Sequence, residues 1–136
     1  MTKTEKAYIA GIIDGEGSIM LQRLHKNEFP SPCVSVASTS LELLTWIKKT
    51  IEKGMIISKR NYNPEIHKDC YSYILRRNDA INLIKEIYPY LIIDSKKKRA
   101  KLIIEKYTAL TPRNGRYTPE MITAKEDFYN QFISIK

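Results

Sequence analysis

Tyr8 to Ile19 reads Y-I-A-G-I-I-D-G-E-G-S-I. The stretch opens with helical periodicity and closes on two acids, Asp14 and Glu16, interleaved with Gly15 and Gly17. Carboxylates are disfavoured at that point, because the last turn of a helix carries about half a negative charge and an acid there costs roughly 0.3–1 kcal/mol. Two readings follow. Either an acidic turn simply closes a helix before a strand, or a divalent cation is held there, since hard cations take carboxylate and carbonyl oxygens.

The small residues add to this. At about 100° per residue, Ala7, Gly11, Asp14 and Gly15 share one helical face, while Ile9, Ile12 and Ile13 share the opposite one. Thr2 and Glu5 form a T-x-x-E capping box that starts the helix. The isoleucines are the attachment to a core. Ala7, Gly11 and Gly15, spaced i, i+4, make a smooth strip that admits a second backbone, despite a propensity cost of about 1 kcal/mol per glycine. The strip lies tightly on the protein's own sheet or packs against a copy of itself. Self-packing would bring two Glu16 side chains together.

I-A-G-I-I-D-G-E-G (Ile9 to Gly17) resembles the signature of the LAGLIDADG homing endonucleases. Ala10, Gly11, Ile13, Asp14 and Gly17 match it letter for letter; Ile9 and Ile12 replace Leu, Gly15 replaces Ala, and Glu16 replaces the second Asp. The resemblance extends over roughly Lys3 to Tyr107, weakly outside the motif. One motif is present, and single-motif members of that family act as homodimers. The resemblance therefore implies an α/β (α+β) fold whose curved antiparallel sheets form a saddle over DNA, with paired motif helices at the centre. It implies a site-specific, divalent-metal-dependent DNA endonuclease that cuts both strands of a long pseudo-palindromic site across the minor groove and leaves short 3′ overhangs.

The same resemblance assigns roles. Glu16 takes the place of the catalytic acid and metal ligand, helped by the Gly15 carbonyl, with Mg2+ as the default ion because it binds through few carboxylates and several waters. Asp14 is expected to hydrogen-bond across the helix pair, so that Ala7, Gly11 and Asp14 form the dimer interface. The family has a basic residue near the active site, just before a helix that begins with a small residue. Counting back from Ala100 puts Lys96 there, with Lys97 or Lys98 as alternatives. At the end of the second strand, where the family often carries Gln, Asn or Asp to order water, this chain has Ser38 and Thr39.

Composition agrees with such a reading. The chain has 136 residues, 43% hydrophobic, enough for one domain spanning 1–136 with a real core. A net charge of +8 and a pI near 9.5 favour a polyanionic partner, nucleic acid above all, and no small-molecule substrate is expected. No run is apolar enough to cross a membrane, and Met1 to Glu5 lacks signal-peptide character. Cys33 and Cys70 read as free thiols of a reducing, intracellular setting, in an organelle, a prokaryote or phage-infected cytoplasm. His67 and Cys70, three apart, are too few for a zinc site.

Further along, strands are expected over Ser18–Lys26, Cys33–Ser38, Met55–Arg60 and Tyr71–Arg77. Helices are expected over Leu41–Glu52 (N-cap Ser40, stripe Leu41, Leu44, Ile47 and Ile51, with Trp46 beside it, ended by Gly54), over Asp79–Ile87 and over Lys96–Thr108, capped by Asp94-Ser95. A last helix opens at Thr118-Pro119, docked by Met121, Ile122, Phe128, Phe132 and Ile133. The order α-β-β-α-β-β-α, then one or two helices, predicts one four-stranded antiparallel sheet with helices on one face. The bare face suits the DNA major groove. Gln22, Lys26, Ser35, Lys59, Arg60, Ser72 and Arg76 are its candidate DNA-binding residues, together with Lys98. A one-residue slip in the first strand would make Arg23 and His25 the readers instead. The competing readings are a non-cleaving nucleic-acid binder on the same scaffold, such as an intron RNA maturase or a DNA-binding regulator, and a basic helical interaction domain.

Overall fold

Helix α1 (Lys3–Glu16) starts where the T-x-x-E pattern places it. The Thr2 hydroxyl accepts from the Glu5 N–H at 3.1 Å, and the Glu5 carboxylate accepts from the Thr2 N–H at 2.8 Å. In this computed structural model, which describes residues 1–136, the chain then runs β1 (Gly17–Gln22), β2 (Ser31–Ser38), α2 (Leu41–Ile51), β3 (Met55–Ser58), β4 (Tyr71–Arg76) and α3 (Arg77–Ile87). After a 3-10 turn at Tyr88–Tyr90 come α4 (Asp94–Leu102), a π-helical continuation over Ile103–Tyr107, and α5 (Pro119–Ile133). The four strands form one antiparallel sheet in the order β1-β2-β4-β3.

Alternation in the strands produces two unlike faces. Ile19, Val34, Val36, Tyr73 and Leu75 point to one side and are fully buried against Ile9 and Ile13 of α1, Leu44 and Ile47 of α2, and Ile84 and Ile87 of α3. The other side is left without a helical cover. The strands are shorter than their sequence pattern: β1 stops at Gln22 and β3 at Ser58. Leu24, Lys26, Lys59 and Arg60 consequently lie in loops beyond the ladder.

Two helix ends differ from expectation. Helix α2 ends on Glu52 in a left-handed conformation (φ 65°), and Ser40 at its start makes no side-chain cap. Gly54 serves another purpose. Its φ is +96°, and a Cβ there would meet the Tyr73 ring at 2.6–2.7 Å, so the glycine lets the chain pass over a buried tyrosine whose hydroxyl donates to the Lys53 carbonyl. Helix α4 begins at Asp94 with Ile93 as N-cap and no side-chain cap of its own. Neither Asp94 nor Ser95 caps it.

Helix α5 opens at Thr118-Pro119 as expected, with the Thr118 hydroxyl accepting from the Met121 N–H at 3.2 Å. Phe128 and Phe132 dock it, whereas Ile122 and Ile133 stay exposed. Its unforeseen anchor is Lys125, only 2% exposed, which donates to the Thr111 hydroxyl and lies 4.0 Å from the centre of the Tyr107 ring. No carboxylate pairs with it. Burial pulls the Lys125 ammonium down from 10.5 to about 8. Below pH 8 both folded and unfolded chains bind this proton, and the fold bears the whole cost of the buried charge. Between about 8 and 10.5 only the unfolded chain still binds it, so stability rises with pH by about 3 kcal/mol. Lys125→Met is therefore expected to raise the melting temperature at pH 7, with the gain shrinking to nothing near pH 10.5 in thermal melts across that range.

Candidate active site and nucleic-acid interface

The C-terminus of α1 and the N-terminus of α4 meet, and each helix supplies the charge that the other needs. The two carboxylate oxygens of Asp14 accept from the N–H groups of Ile92 (2.8 Å) and Ile93 (3.2 Å), at the positive end of α4. In return, the Lys96 ammonium donates to the carbonyls of Ile13 (2.6 Å) and Asp14 (2.5 Å), at the negative end of α1. No basic residue stands in the last turn of α1 itself. Both charges oppose the dipole of their own helix and suit that of the neighbour, and this exchange accounts for Asp14, an acid disfavoured at the end of its own helix. Lys96→Met and Asp14→Ala are each expected to cost about 1–2 kcal/mol in urea unfolding, with the double variant costing less than the sum because the two helix ends share one junction.

Glu16 is different. It is the last residue of α1, exposed, and makes no hydrogen bond or ion pair. Gly17 behind it holds α1 against the sheet: its N–H donates to the Ile13 carbonyl, and a Cβ would come 2.8 Å from the Ile13 Cα and 3.2 Å from the Ser35 carbonyl. Glu16 thus projects from a rigid helix-to-strand junction. Ala7, Gly11 and Gly15 are all exposed, and a Cβ on either glycine meets nothing within 4 Å. The small strip does not lie on the protein's own sheet; it faces outward. Asp14, expected at a helix–helix contact, has both oxygens engaged within its own chain.

One chain brings no three His, Cys, Asp or Glu side chains together around a metal position. Glu16 and the neighbouring Gly15 carbonyl are hard oxygen donors of the kind a magnesium ion accepts while keeping several waters. At the end of β2, the Ser38 hydroxyl accepts from the Ser40 N–H at 2.9 Å and so closes the turn into α2, while Thr39 is exposed.

The uncovered sheet face carries rows fixed by the register: Ser18, Ser35, Ile74 and Met55 in one, Met20, Cys33 and Arg76 in the next, and Gln22 with Ser31 at the far end. Of the anticipated DNA-binding residues, Gln22, Ser35, Ser72 and Arg76 stand on this face. Arg23 follows the last residue of β1, so the register with Gln22 on this face is the one adopted. Gln22 Oε1 and Arg76 Nε are buried and have no hydrogen-bond partner within the chain. Arg76 lies beside the Cys33 thiol, whose burial pushes its pKa up. Lys26, Lys59 and Arg60 are exposed in loops, Arg60 lying over the Tyr62 ring at 4.9 Å, and Lys98 pairs with Asp94 at 2.9 Å on the surface of α4. Met55 and Ile57, which sequence reasoning left out, add apolar contact area. Their alternation along a four-residue strand was the signal available for them.

An αββαββα chain with an acid-tipped first helix and a bare antiparallel face has the LAGLIDADG homing-endonuclease fold. Among solved structures, the chain superposes on the homing endonuclease I-CvuI, crystallised with the I-CreI target in the presence of Mg with the DNA not cleaved, at a TM-score of 0.78, 18% identity and 98% and 83% coverage of the two chains. It superposes on the archaeal intron-encoded I-Vdi141I in complex with DNA at 0.64, with 16% identity and 98% and 84% coverage. The LAGLIDADG meganuclease I-AabMI, bound to uncleaved DNA, matches at 0.64 with 21% identity, covering 96% of this chain and 43% of its own. No family model and no curated protein matches the sequence.

Proposed function

We propose that the protein is a homodimeric, divalent-metal-dependent endonuclease that cuts both strands of a specific, long, pseudo-palindromic DNA site. The observation that carries this reading is Glu16. Of the two acids closing α1, Asp14 is consumed by the fold, and Glu16 alone is exposed, unpaired and rigidly presented. A carboxylate with no structural use, next to an outward strip of small residues, fits a site completed by a second copy. DNA would lie along the uncovered sheet face, where Gln22 and Arg76 offer adenine- and guanine-type pairings, with Lys26, Lys59, Arg60 and Lys98 serving phosphates. The structural neighbours I-CvuI and I-Vdi141I were crystallised with DNA, which supports a DNA-binding reading.

A bound Mg2+ would supply charge at the scissile phosphate and a more acidic water. The chain's own residues do the positioning. In a dimer packed through α1, Glu16 and the Gly15 carbonyl would face the twofold axis. Lys96 fixes the helix end that carries them and has one N–H beyond the two it donates to the Ile13 and Asp14 carbonyls, enough to hold a water or a phosphate oxygen. Incubating the protein with a randomised DNA library in Mg2+ and in Ca2+, then sequencing the ends, tests the proposal. Paired cuts with 3′ overhangs at one recurring site in Mg2+ support it. Tight binding without cuts in either ion would make the protein a non-cleaving binder.

A further inference from the structure

A cavity of about 430 Å3 opens where the β1–β2 loop, the start of α3 and the loop before α5 converge. Its lining includes Phe29, Tyr107 and Tyr117, the side chains of Asn27 and Asn78, and the Glu28–Arg77 ion pair (3.5 Å). Phe29 and Tyr117 stand 5.0 Å apart, and the buried Lys125 ammonium lies behind the rings, within 4.0–6.0 Å of three of them. Arg77 holds a left-handed backbone (φ 56°), a strained conformation for a residue with a side chain and one that gathers at functional positions. Register places the cavity at the far end of the sheet from Glu16. Ser31, which lines it, pairs with Gln22, and Arg77 directly follows Arg76, whereas Gly17 pairs with Val36 at the other end.

Phe29 and Tyr117 pack on each other at a 51° tilt, and the ring faces they turn to the cavity offer a π-surface on which a nucleobase can stack. The amides of Asn27 and Asn78 and the Glu28 carboxylate provide both donors and acceptors for a base edge. Arg77, which lines the cavity, supplies positive charge for an attached phosphate in exchange for its 3.5 Å pairing with Glu28. The volume fits one nucleotide and no duplex. We infer that this cavity binds a single unstacked nucleotide, its base against the aromatic wall and its phosphate toward Arg77. The nucleotide is either an unpaired residue at the outer edge of DNA lying on the sheet or a free nucleotide. Only the first source rests on the DNA-binding reading proposed above.

The test uses the full chain without metal. The four deoxynucleoside monophosphates and inorganic phosphate are titrated separately, following amide shifts by NMR. Saturable shifts at Asn27, Asn78 and Tyr117 with nucleotide and none with phosphate are expected, and Tyr117→Ala should weaken binding about tenfold, the scale of one lost stack. Asn78→Ala, at an exposed position that puts no strain on the fold, should weaken it as well. A duplex with one unpaired purine should bind more tightly than the paired duplex, and that preference should vanish in both variants while paired-duplex affinity stays unchanged. Nucleotide binding without the duplex preference would assign the pocket to free nucleotide. No saturable nucleotide binding, or equal shifts from phosphate alone, overturns the inference. None of these readouts involves cleavage, so their failure is separable from failure of the endonuclease reading.

Discussion

Glu16→Gln is expected to leave DNA binding intact and to lower double-strand cleavage by about 1000-fold or more, some 4 kcal/mol of transition-state stabilisation. The substitution preserves volume and removes only charge. Because Glu16 is exposed and unpaired, unfolding stability should change by no more than about 0.5 kcal/mol. Binding measured in Ca2+ and cleavage measured in Mg2+ separate the two quantities. Cleavage at the parental rate would remove Glu16 from the chemistry and take the proposed mechanism with it. Loss of binding together with cleavage would instead make the side chain part of the recognition surface.

Gly11→Leu addresses assembly. A Cβ at Gly11 touches nothing in the folded chain, and leucine is the better helix former by close to 1 kcal/mol, so the monomer should hold or gain stability. If α1 packs on a copy of itself, the added side chain stands in the contact and should weaken dimerisation by on the order of 3 kcal/mol, about a hundredfold. Sedimentation at micromolar concentration would show the parent at two chains and the variant near 15.8 kDa. The variant should also lose paired cuts, because each chain contributes one Glu16. A variant that remains dimeric and cuts normally would move the interface elsewhere.

Much of this molecule was legible from local pattern. The T-x-x-E box, the Thr118-Pro119 helix start and the alternation of Cys33–Ser38 and Tyr71–Arg76 each reflect interactions within a few residues, and each was realised. The misses share a different character. Gly54 was read as a helix terminator, yet its conformation answers to Tyr73, nineteen positions on. Nothing in the local pattern singled out Lys125; its burial depends on Phe29, Thr111, Tyr107 and Tyr117 arriving from other segments. Lys26, Lys59 and Arg60 fell outside the ladder because strand ends are set by where a partner strand runs out, which no single segment records.

By itself, the sequence determined the helices and strands, the order that closes them into one sheet, and the presence of two misplaced acids at the end of α1. Periodicity, caps and dipole charges are near-neighbour physics and act before the chain is compact. Only the tertiary structure decided which acid is free. Asp14 is neutralised by N–H groups 78 and 79 residues away, and Lys96 crosses back to the carbonyls beside it. That pairing exists only once α4 is docked against α1, and it leaves Glu16 as the one carboxylate at the junction with its charge unspent.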